Sequence, residues 1–293
     1  MYNKTSIIKE NLFHFIALFS ALCAIIFLSG IIISLFKEGY LIFKEVGISH
    51  FLFGKSWYPT QDTPEFGILS LLIGSIVVTV LALIISIPLG ISSAIYISEL
   101  AKPKEKEILK PFIELLASIP SVIYGLFGVV FLAPIMMNLF NLSIGLNAFT
   151  ASIILGLMVV PIISSISEDA ISSVPKSLRE AAFALGANKW ETIIRVVLPA
   201  AKSGIISSII LGFGRAIGET MVVLMVAGNA ACIPKSIFHP VRPMTSAIAA
   251  EMGEAAVGSS HYNALFGIAI VLFVITFISN IITEEVRKKI RTK

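Results

Sequence analysis

Two opposite charges, Arg215 and Glu219, lie four residues apart inside an apolar stretch of this sequence. If the stretch is helical, both side chains share one face, about 6 Å apart along the axis. A charge at mid-membrane costs about 2.5–3.5 kcal/mol or more, so such residues mark functional paths. A guanidinium binds an oxyanion through paired hydrogen bonds, and a nearby carboxylate keeps that binding weak enough for release. The pair predicts an anion path; the alternative is mutual neutralisation that locks a helix bundle.

The residues around this pair are typical of a membrane-embedded helix that packs closely. A polar and small stripe recurs at helical spacing: Ser208, Gly212, Arg215 and Glu219. We predict that this stripe faces a water-filled path. Gly214 and Gly218 form a GxxxG step, which predicts close approach of a neighbouring helix.

The elements that must position these residues are membrane spans. The chain has 293 residues, of which 56% are hydrophobic and 14% charged, a composition that indicates an integral membrane protein. A bilayer core needs about 20 apolar residues per helix. Segments of that length lie at about 12–36, 67–97, 110–138, 146–167, 203–228 and 262–283. The predicted fold class is an all-α membrane protein with six transmembrane helices.

The basic residues, which give a net charge of +4, are concentrated in alternate loops. They precede the first span (Lys4, Lys9) and follow the second (102–110), the fourth (176–202) and the sixth (287–293). Because cytoplasmic loops carry the excess of Lys and Arg, we expect both termini to be cytoplasmic. The same residues then anchor the chain beside anionic lipid, and no nucleic-acid partner is expected.

The third apolar segment carries a proline with polar neighbours. They are Ser118, Pro120, Ser121 and Tyr124. A proline within a span frees a carbonyl that must find a partner inside the protein. Such breaks are tolerated where a helix lines a cavity, so these residues are predicted to line the path. A simple kink is the alternative.

The polar segment 175–200, between the fourth and fifth spans, has the pattern of a helical hairpin. Ser177 and Glu180 have capping-box spacing, which predicts a helix beginning at Ser177. Gly186 is suited to the left-handed conformation that ends a helix. Asn188 and Glu191 repeat the capping spacing and predict a second short helix, ending near Pro199 before the fifth span. Alanines on one side would allow another protein to approach closely.

The spacing within this hairpin resembles the EAA loop of ABC-importer permeases. The matching residues are Glu180, Ala181, Ala182, Gly186, Leu198 and Pro199, with Val196 where the family usually has Ile. In that family the loop docks on a cytoplasmic ATPase, so the resemblance assigns these residues to coupling. The alternative is an ordinary amphipathic loop on the membrane surface.

Other motifs resemble the phosphate branch of this family. The residues GRAIGETM at 214–221 look like its fifth-helix signature, and ELLASIPSVIYG at 114–125 looks like its third-helix motif. The residues SWYP at 56–59 and HYNALF at 261–266 resemble the PstC-type subunit rather than its PstA-type sister. The resemblance implies an importer in a bacterial or archaeal plasma (inner) membrane, with Arg215 and Glu219 in the phosphate path. It also implies a PstA-like sister permease, two PstB-like ATPase subunits and an extracytoplasmic PstS-like phosphate-binding protein.

The motifs that the sequence lacks bear on catalysis. It has no GxxxxGK[ST] loop for ATP and no HExxH pair for a metal, so we expect no catalytic residue, no metal and no cofactor. The predicted organisation is an N-terminal anchor helix and first external loop at 1–66 and a core permease domain at 67–293, with a second external loop at 229–261. Permeases for sulfate, molybdate or phosphonate would share the hairpin and stay open as alternatives. A membrane-embedded enzyme or a self-sufficient channel are alternatives of other classes.

Overall fold

A computed structural model describes the backbone of residues 4–291 and the side chains of residues 12–285 and 288. The side chains of Lys4, Lys9 and Arg287, on which part of the orientation argument rests, lie outside these described residues, as does Lys293.

The described residues form thirteen α-helices and a two-stranded antiparallel hairpin. The helices are α1 Lys4–Val46, α2 Ile48–Phe53, α3 Leu69–Ile95, α4 Pro103–Ser118, α5 Ser121–Phe127, α6 Ala133–Phe140, α7 Ala148–Ser172, α8 Lys176–Ala184, α9 Lys189–Thr192, α10 Leu198–Ile217, α11 Met221–Val226, α12 Met244–Glu251 and α13 Ser260–Arg291. The strands are β1 Trp57–Tyr58 and β2 Glu65–Phe66, with Trp57 paired to Phe66. Wider π-helical segments at Tyr96–Leu100, Gly128–Leu132 and Ile193–Val197 extend α3, join α5 to α6 and join α9 to α10.

Six helical segments within the described residues are long and apolar enough to cross a membrane, which confirms the predicted fold class. They are Leu12–Val46, Leu69–Leu100, Ser121–Phe140, Ala148–Ser172, Lys189–Ile217 and Ser260–Glu285. The bounds differ most from prediction in the third and fifth spans, where breaks at Ile119–Pro120 and Gly218–Thr220 separate residues that we expected to be continuous.

The helix α7 is the centre of the bundle and packs against α3, α4 and α10. Its apolar face forms the main core with residues of α3, α10 and α11, including Val78, Leu155, Val159 and Val222. The close approach of α3 to α7 depends on Gly90, because a Cβ atom there would lie 2.8 Å from the side chain of Ile163. Helices in a membrane lack a hydrophobic force between them, so such close packing supplies their association.

The first span lies at the edge of this bundle and packs along α13. Its apolar side chains from Leu12 to Leu28 are mostly exposed within the single chain, as expected for a surface that faces lipid. Contact with α13 begins further on, where Phe36 packs edge-on against Phe273 and Gly39 lies against Phe266. This packing explains why the helix continues to Val46, beyond the end predicted at residue 36.

A polar network closes the end of the bundle that carries the β-hairpin. Glu251 accepts hydrogen bonds from Trp57 Nε1 at 3.0 Å and Arg242 Nη1 at 2.6 Å, and lies 2.9 Å from His261 Nε2. The indole of Trp57 is 1% exposed, so it is a core residue here. Its burial is possible because the indole N–H has a carboxylate partner, Glu251, on α12.

Candidate functional site

The structure brings Arg215 and Glu219 into direct contact, although not on one continuous helix. The helix α10 ends at Ile217, and Glu219 lies in the break before α11. Arg215 Nη1 donates to Glu219 Oε2 at 2.5 Å. The predicted single helix through residue 228 is therefore wrong, but the ion pair that it implied is present.

Glu219 is the residue that organises this break. Its side chain is 3% exposed, and its Oε1 accepts from the backbone N–H groups of Met221 at 3.0 Å and Val222 at 3.3 Å. Its backbone carbonyl accepts from Thr245 Oγ1 at 2.7 Å. The carboxylate thus satisfies the free amides at the start of α11, which a continuous helix would have paired internally. That compensation is why the chain can end one helix and begin another inside the protein.

Arg215 is exposed on its other side. Its side chain is 42% exposed, and its Nη2 lies 3.8 Å from the sulfur of Met158, near the middle of α7. Within the described part of the chain, Nε and Nη2 of Arg215 meet no oxygen acceptor. The guanidinium therefore presents unused donors beside the middle of α7, next to the buried carboxylate of Glu219.

The remainder of the predicted stripe does not share this exposure. Ser208 is buried and pairs with Ser167 at 2.7 Å, while a Cβ atom at Gly212 would lie 3.0 Å from Ile163. Both residues face α7 rather than a water-filled path. Gly214 has no atom within 4 Å of its Cβ position, so the GxxxG step meets no other helix among the residues that the structure describes.

The proline break in the third span lies beside the same core. A span at 110–138 was predicted, but α4 ends at Ser118 and the spanning helix begins at Ser121. Pro120 has no N–H for the carbonyl of Leu116, and the hydroxyl of Tyr124 donates to that oxygen at 3.0 Å. The freed carbonyl thus has the internal partner that was expected.

The other residues predicted to line a path at this break have more local contacts. Ser118 Oγ donates to Leu115 O at 2.7 Å and, like Pro120, Ser118 is exposed. Ser121 is half-buried. Tyr124 packs on the main core, which includes Met158 and Ala216, so this break and the break at Glu219 lie against one cluster.

The segment 175–200 contains the predicted hairpin, with one altered start. The first helix, α8, begins at Lys176 after Pro175, with no side-chain cap, so the capping role predicted for Ser177 is wrong because that residue is already helical. Gly186 has φ +86°, which confirms the left-handed turn. The second capping box is confirmed: Asn188 Oδ1 accepts from Glu191 N and Glu191 Oε2 from Asn188 N, both at 2.9 Å.

The hairpin presents some of its motif residues and buries another. Glu180, Ala181 and Gly186 are exposed, but Ala182 is 7% exposed and is covered within the fold. The exposed tip is strongly apolar, with Leu185 90% and Trp190 65% exposed. Large exposed apolar side chains beside small ones are typical of a surface that a partner covers.

The second hairpin helix runs directly into the fifth span. We expected it to end near Pro199, but α9, the π-helical segment Ile193–Val197 and α10 form one helix from Lys189 to Ile217. Leu198 packs against a small cluster that contains Val174 and Val197, and Pro199 is exposed in the first turn of α10. At 1.5 Å per residue, about 40 Å of helix joins Asn188 to Arg215.

An ionic cluster near the hairpin was missed from the sequence. Glu168, 2% exposed near the end of α7, accepts from Lys106 Nζ at 2.7 Å and Lys110 Nζ at 2.6 Å. Asp169 also lies 2.9 Å from Lys110 Nζ. The predicted fourth span stopped at residue 167, one position short of Glu168, so these acids were treated as loop residues. An acid directly after a span, with lysines at i and i+4 in the neighbouring loop, was the available signal.

This cluster holds α4 against the bundle, because no residue of α4 is buried. The hydrogen bonds to Glu168 and Asp169 raise the pKa of Lys110 above its usual range. A raised lysine pKa contributes stability that is complete below its unfolded value and lost only as pH rises through the folded one. We therefore expect no titration of this contact near neutral pH.

Removing both lysines should destabilise the protein. The double variant Lys106→Ala, Lys110→Ala leaves Glu168 buried, with Ser172 Oγ as its one remaining partner among the described side chains. Breaking a buried pair costs about 3–5 kcal/mol, and we expect less because the lysines are one-third exposed. The thermal unfolding midpoint in detergent should fall, and α4 amides should lose protection from hydrogen exchange. Asp169→Asn is the control, since Asp169 is 66% exposed; equal midpoints for the two variants would contradict the assignment.

Comparison with known proteins adds to this geometry. Residues 86–292 match the family described as binding-protein-dependent transport system inner membrane component. The chain is 40% identical to the probable ABC transporter permease protein YqgH of Bacillus subtilis, over 87% of this chain and 84% of that protein. It is 36% identical to the phosphate transport system permease protein PstC of Mesorhizobium japonicum, over 92% of this chain and 88% of that protein.

Solved structures share the fold. A chain of a bacterial alginate ABC transporter, in complex with a periplasmic protein that carries an alginate pentasaccharide, superposes with a TM-score of 0.68. The alignment covers 98% of this chain and 97% of that one, at 19% identity. The six spans and their connections are therefore arranged as in that chain of the alginate transporter.

Proposed function

Because the chain belongs to the family of binding-protein-dependent transport system inner membrane components, we infer that it is the permease subunit of an ATP-driven phosphate importer. Its similarity to PstC proteins extends over most of both chains, and its fold is that of ABC-importer permeases. It is a multi-pass membrane protein. ATP hydrolysis is assigned to a separate subunit, since its relatives are transport permeases.

One observation carries the mechanism: a single helix has the hairpin's capping box at one end and Arg215 in its last turn. A helix transmits displacement along its length, because its backbone hydrogen bonds resist compression. Movement of the hairpin is thereby conveyed to the guanidinium, about 40 Å away. No second element is needed to link the two sites.

Arg215 is assigned as the residue that meets the anion in the path. Its free N–H donors match two oxygens of a phosphate ion, as guanidinium geometry permits. Glu219 competes for the same guanidinium from its buried position, so the bound anion is held weakly and can leave. Ser118, Pro120, Ser121 and Tyr124 form the break on the neighbouring third span and are assigned to the wall of the path.

The hairpin is assigned as the docking element for the ATPase. Glu180, Ala181 and Gly186 present the motif surface, Ala182 supports it from inside, and the region of Leu198 and Pro199 joins it to the span. A cavity of about 400 Å³ beside Gly186 and Glu191 could take a side chain of the partner. We place the hairpin and both termini in the cytoplasm, because the loops on that side carry most of the Lys and Arg residues.

The partners follow from the same proposal. A PstA-like sister permease would complete the path beside the exposed Arg215 and the half-buried Gly214, and two PstB-like ATPase subunits would bind below. A PstS-like protein would deliver phosphate at the opposite end. Residues 1–66 would serve as an anchor helix and first external loop to the core 67–293, although their aromatic side chains share a cluster with α12 and α13.

The decisive experiment is phosphate uptake by the reconstituted four-component complex. We expect radiolabelled phosphate to enter proteoliposomes only when ATP and the binding protein are both present. Sulfate, molybdate and phosphonate, added in excess, should compete poorly. Strong competition by one of them would reassign the cargo, and flux without ATP would indicate a channel instead.

A further inference from the structure

Arg179, in the hairpin helix α8, makes an unusually complete set of contacts. Its Nε and Nη2 donate to Glu99 Oε1 at 3.1 and 2.6 Å. Nη1 donates to the carbonyl of Val174 at 2.5 Å, and Nη2 donates to that of Ile171 at 3.0 Å. The Arg179 and Glu99 side chains are only 18% and 10% exposed. Each of the three guanidinium nitrogens therefore donates to an acceptor within this chain, and none of these bonds involves another subunit.

These acceptors belong to two different membrane spans. Glu99 lies in the π-helical segment Tyr96–Leu100, which ends the second span. Ile171 lies in the last turn of α7 and Val174 lies two residues beyond its end, where the carbonyls lack the i+4 amide partners of a continuing helix. A single side chain of the hairpin thus ties together the adjacent ends of the second and fourth spans.

Little else fixes α8 to these spans. Ala182 is the one residue of α8 that is buried. A cavity of about 490 Å³ opens beside the tie, lined in part by Lys106, Lys176 and Glu180. Among the described side chains, Glu99 forms an ion pair with Arg179 alone. Without Arg179, α8 would be joined mainly through the backbone that leads into it.

We propose that Arg179 and Glu99 form the joint that transmits hairpin movement to the second and fourth spans during transport. Arg179 is a positioning residue, because its donors are directed into this chain and not toward the ATPase surface. The long helix from Lys189 carries hairpin movement into the fifth span, whereas the joint connects the other hairpin helix, α8, directly to the ends of the second and fourth spans. This inference rests on the proposed function of the hairpin as the ATPase docking element.

The test uses the reconstituted complex with Arg179→Gln, and measures ATP hydrolysis and phosphate uptake in the same vesicles. We expect uptake to fall at least tenfold, while hydrolysis stays within about twofold of the unaltered complex, so that more ATP is used per phosphate. Glu99→Ala should act alike, and Glu99→Gln should retain part of the coupling because its amide oxygen still accepts from Arg179. Lys176→Gln is the matched control: it lies on the same helix, is exposed and forms no ion pair among the described residues.

A second measurement does not depend on the cargo. Hydrogen exchange is compared with and without a non-hydrolysable ATP analogue. In the unaltered complex, nucleotide should alter protection at residues 176–184 and also at 94–100 and 168–174; in Arg179→Gln only the first region should respond. Two results for Arg179→Gln would overturn the proposed joint. One is a parallel loss of ATP hydrolysis and of ATPase binding; the other is a nucleotide-dependent change in protection, equal to that of the unaltered complex, in all three regions. Failure of phosphate uptake by the unaltered complex would instead reject the proposed cargo.

Discussion

Substitution of Arg215 by alanine should reduce ATP-dependent phosphate uptake to the background level, a loss of about 100-fold or more. Hydrogen bonds to charged groups contribute about 1.5–3 kcal/mol each, and two such bonds to one anion account for that factor. The substitution also leaves the carboxylate of Glu219 without its cation. A negative charge then remains in the path where the phosphate should bind, so attraction becomes repulsion.

Assembly should survive this substitution. Glu219 keeps its hydrogen bonds from the backbone amides of Met221 and Val222, so the break between α10 and α11 persists. Arg215→Lys retains the charge but not the planar pair of donors, and should keep a fraction of uptake. Co-purification with the ATPase and uptake in proteoliposomes provide the readouts. If Arg215→Ala took up phosphate at the rate of the unaltered protein, the proposed role of the guanidinium in the path would be wrong.

The second large effect is expected at Gly186, which joins α8 to α9 with φ +86°. Proline cannot adopt that angle, because its ring fixes φ near −65°, and it would also remove the N–H that bonds to Phe183 O at 2.9 Å. Gly186→Pro should therefore rearrange the hairpin tip and uncouple hydrolysis from transport. We expect uptake to fall at least tenfold, and ATP hydrolysis to lose its dependence on the binding protein, while the chain still inserts.

Two further substitutions distinguish the effect of changing the internal packing of the hairpin from the effect of changing its exposed surface. A leucine at Ala182 must fit inside the hairpin and should mimic Gly186→Pro, whereas a leucine at exposed Ala181 should act only by obstructing the partner. Gly186→Ala is a milder control, since the space around it is open and only the backbone angle is unfavourable, by about 1–2 kcal/mol. Coupled transport by Gly186→Pro and by the leucine at Ala182 would remove the hairpin from the coupling mechanism.

Local chemistry made much of this site predictable. Arg215 and Glu219 were found because charges inside an apolar run are costly, and the pair is in contact in the structure. The turn at Gly186 and the cap at Asn188 followed from the conformations and donors that these residue types supply. The six spans followed from length and hydropathy alone.

What the sequence did not predict depends on tertiary partners. The helix break after Ile217 is stable because Thr245, far along the chain, and the amides of α11 satisfy Glu219. The Trp57 indole is buried because Glu251 comes from another element. The roles of Glu168 and Arg179 were overlooked for the same reason. Each lies near one end of a predicted segment, and each forms an ion pair with a residue about 60–80 positions away in the sequence. The periodicity of a sequence indicates which face of a helix is apolar, but it does not indicate which hydrogen-bond or ion-pair partners a neighbouring element supplies.

The apolar tip of the hairpin should affect how readily the chain is degraded in a cell. Leu185 and Trp190 lie at the tip of the hairpin, and the described residues of this subunit leave both side chains largely exposed. A copy made without its motor subunit would carry that surface into water, where proteases and chaperones recognise unfolded proteins by similar patches. Docking would then conceal a degradation signal, and the amount of permease in the membrane would follow the supply of ATPase rather than its own rate of synthesis.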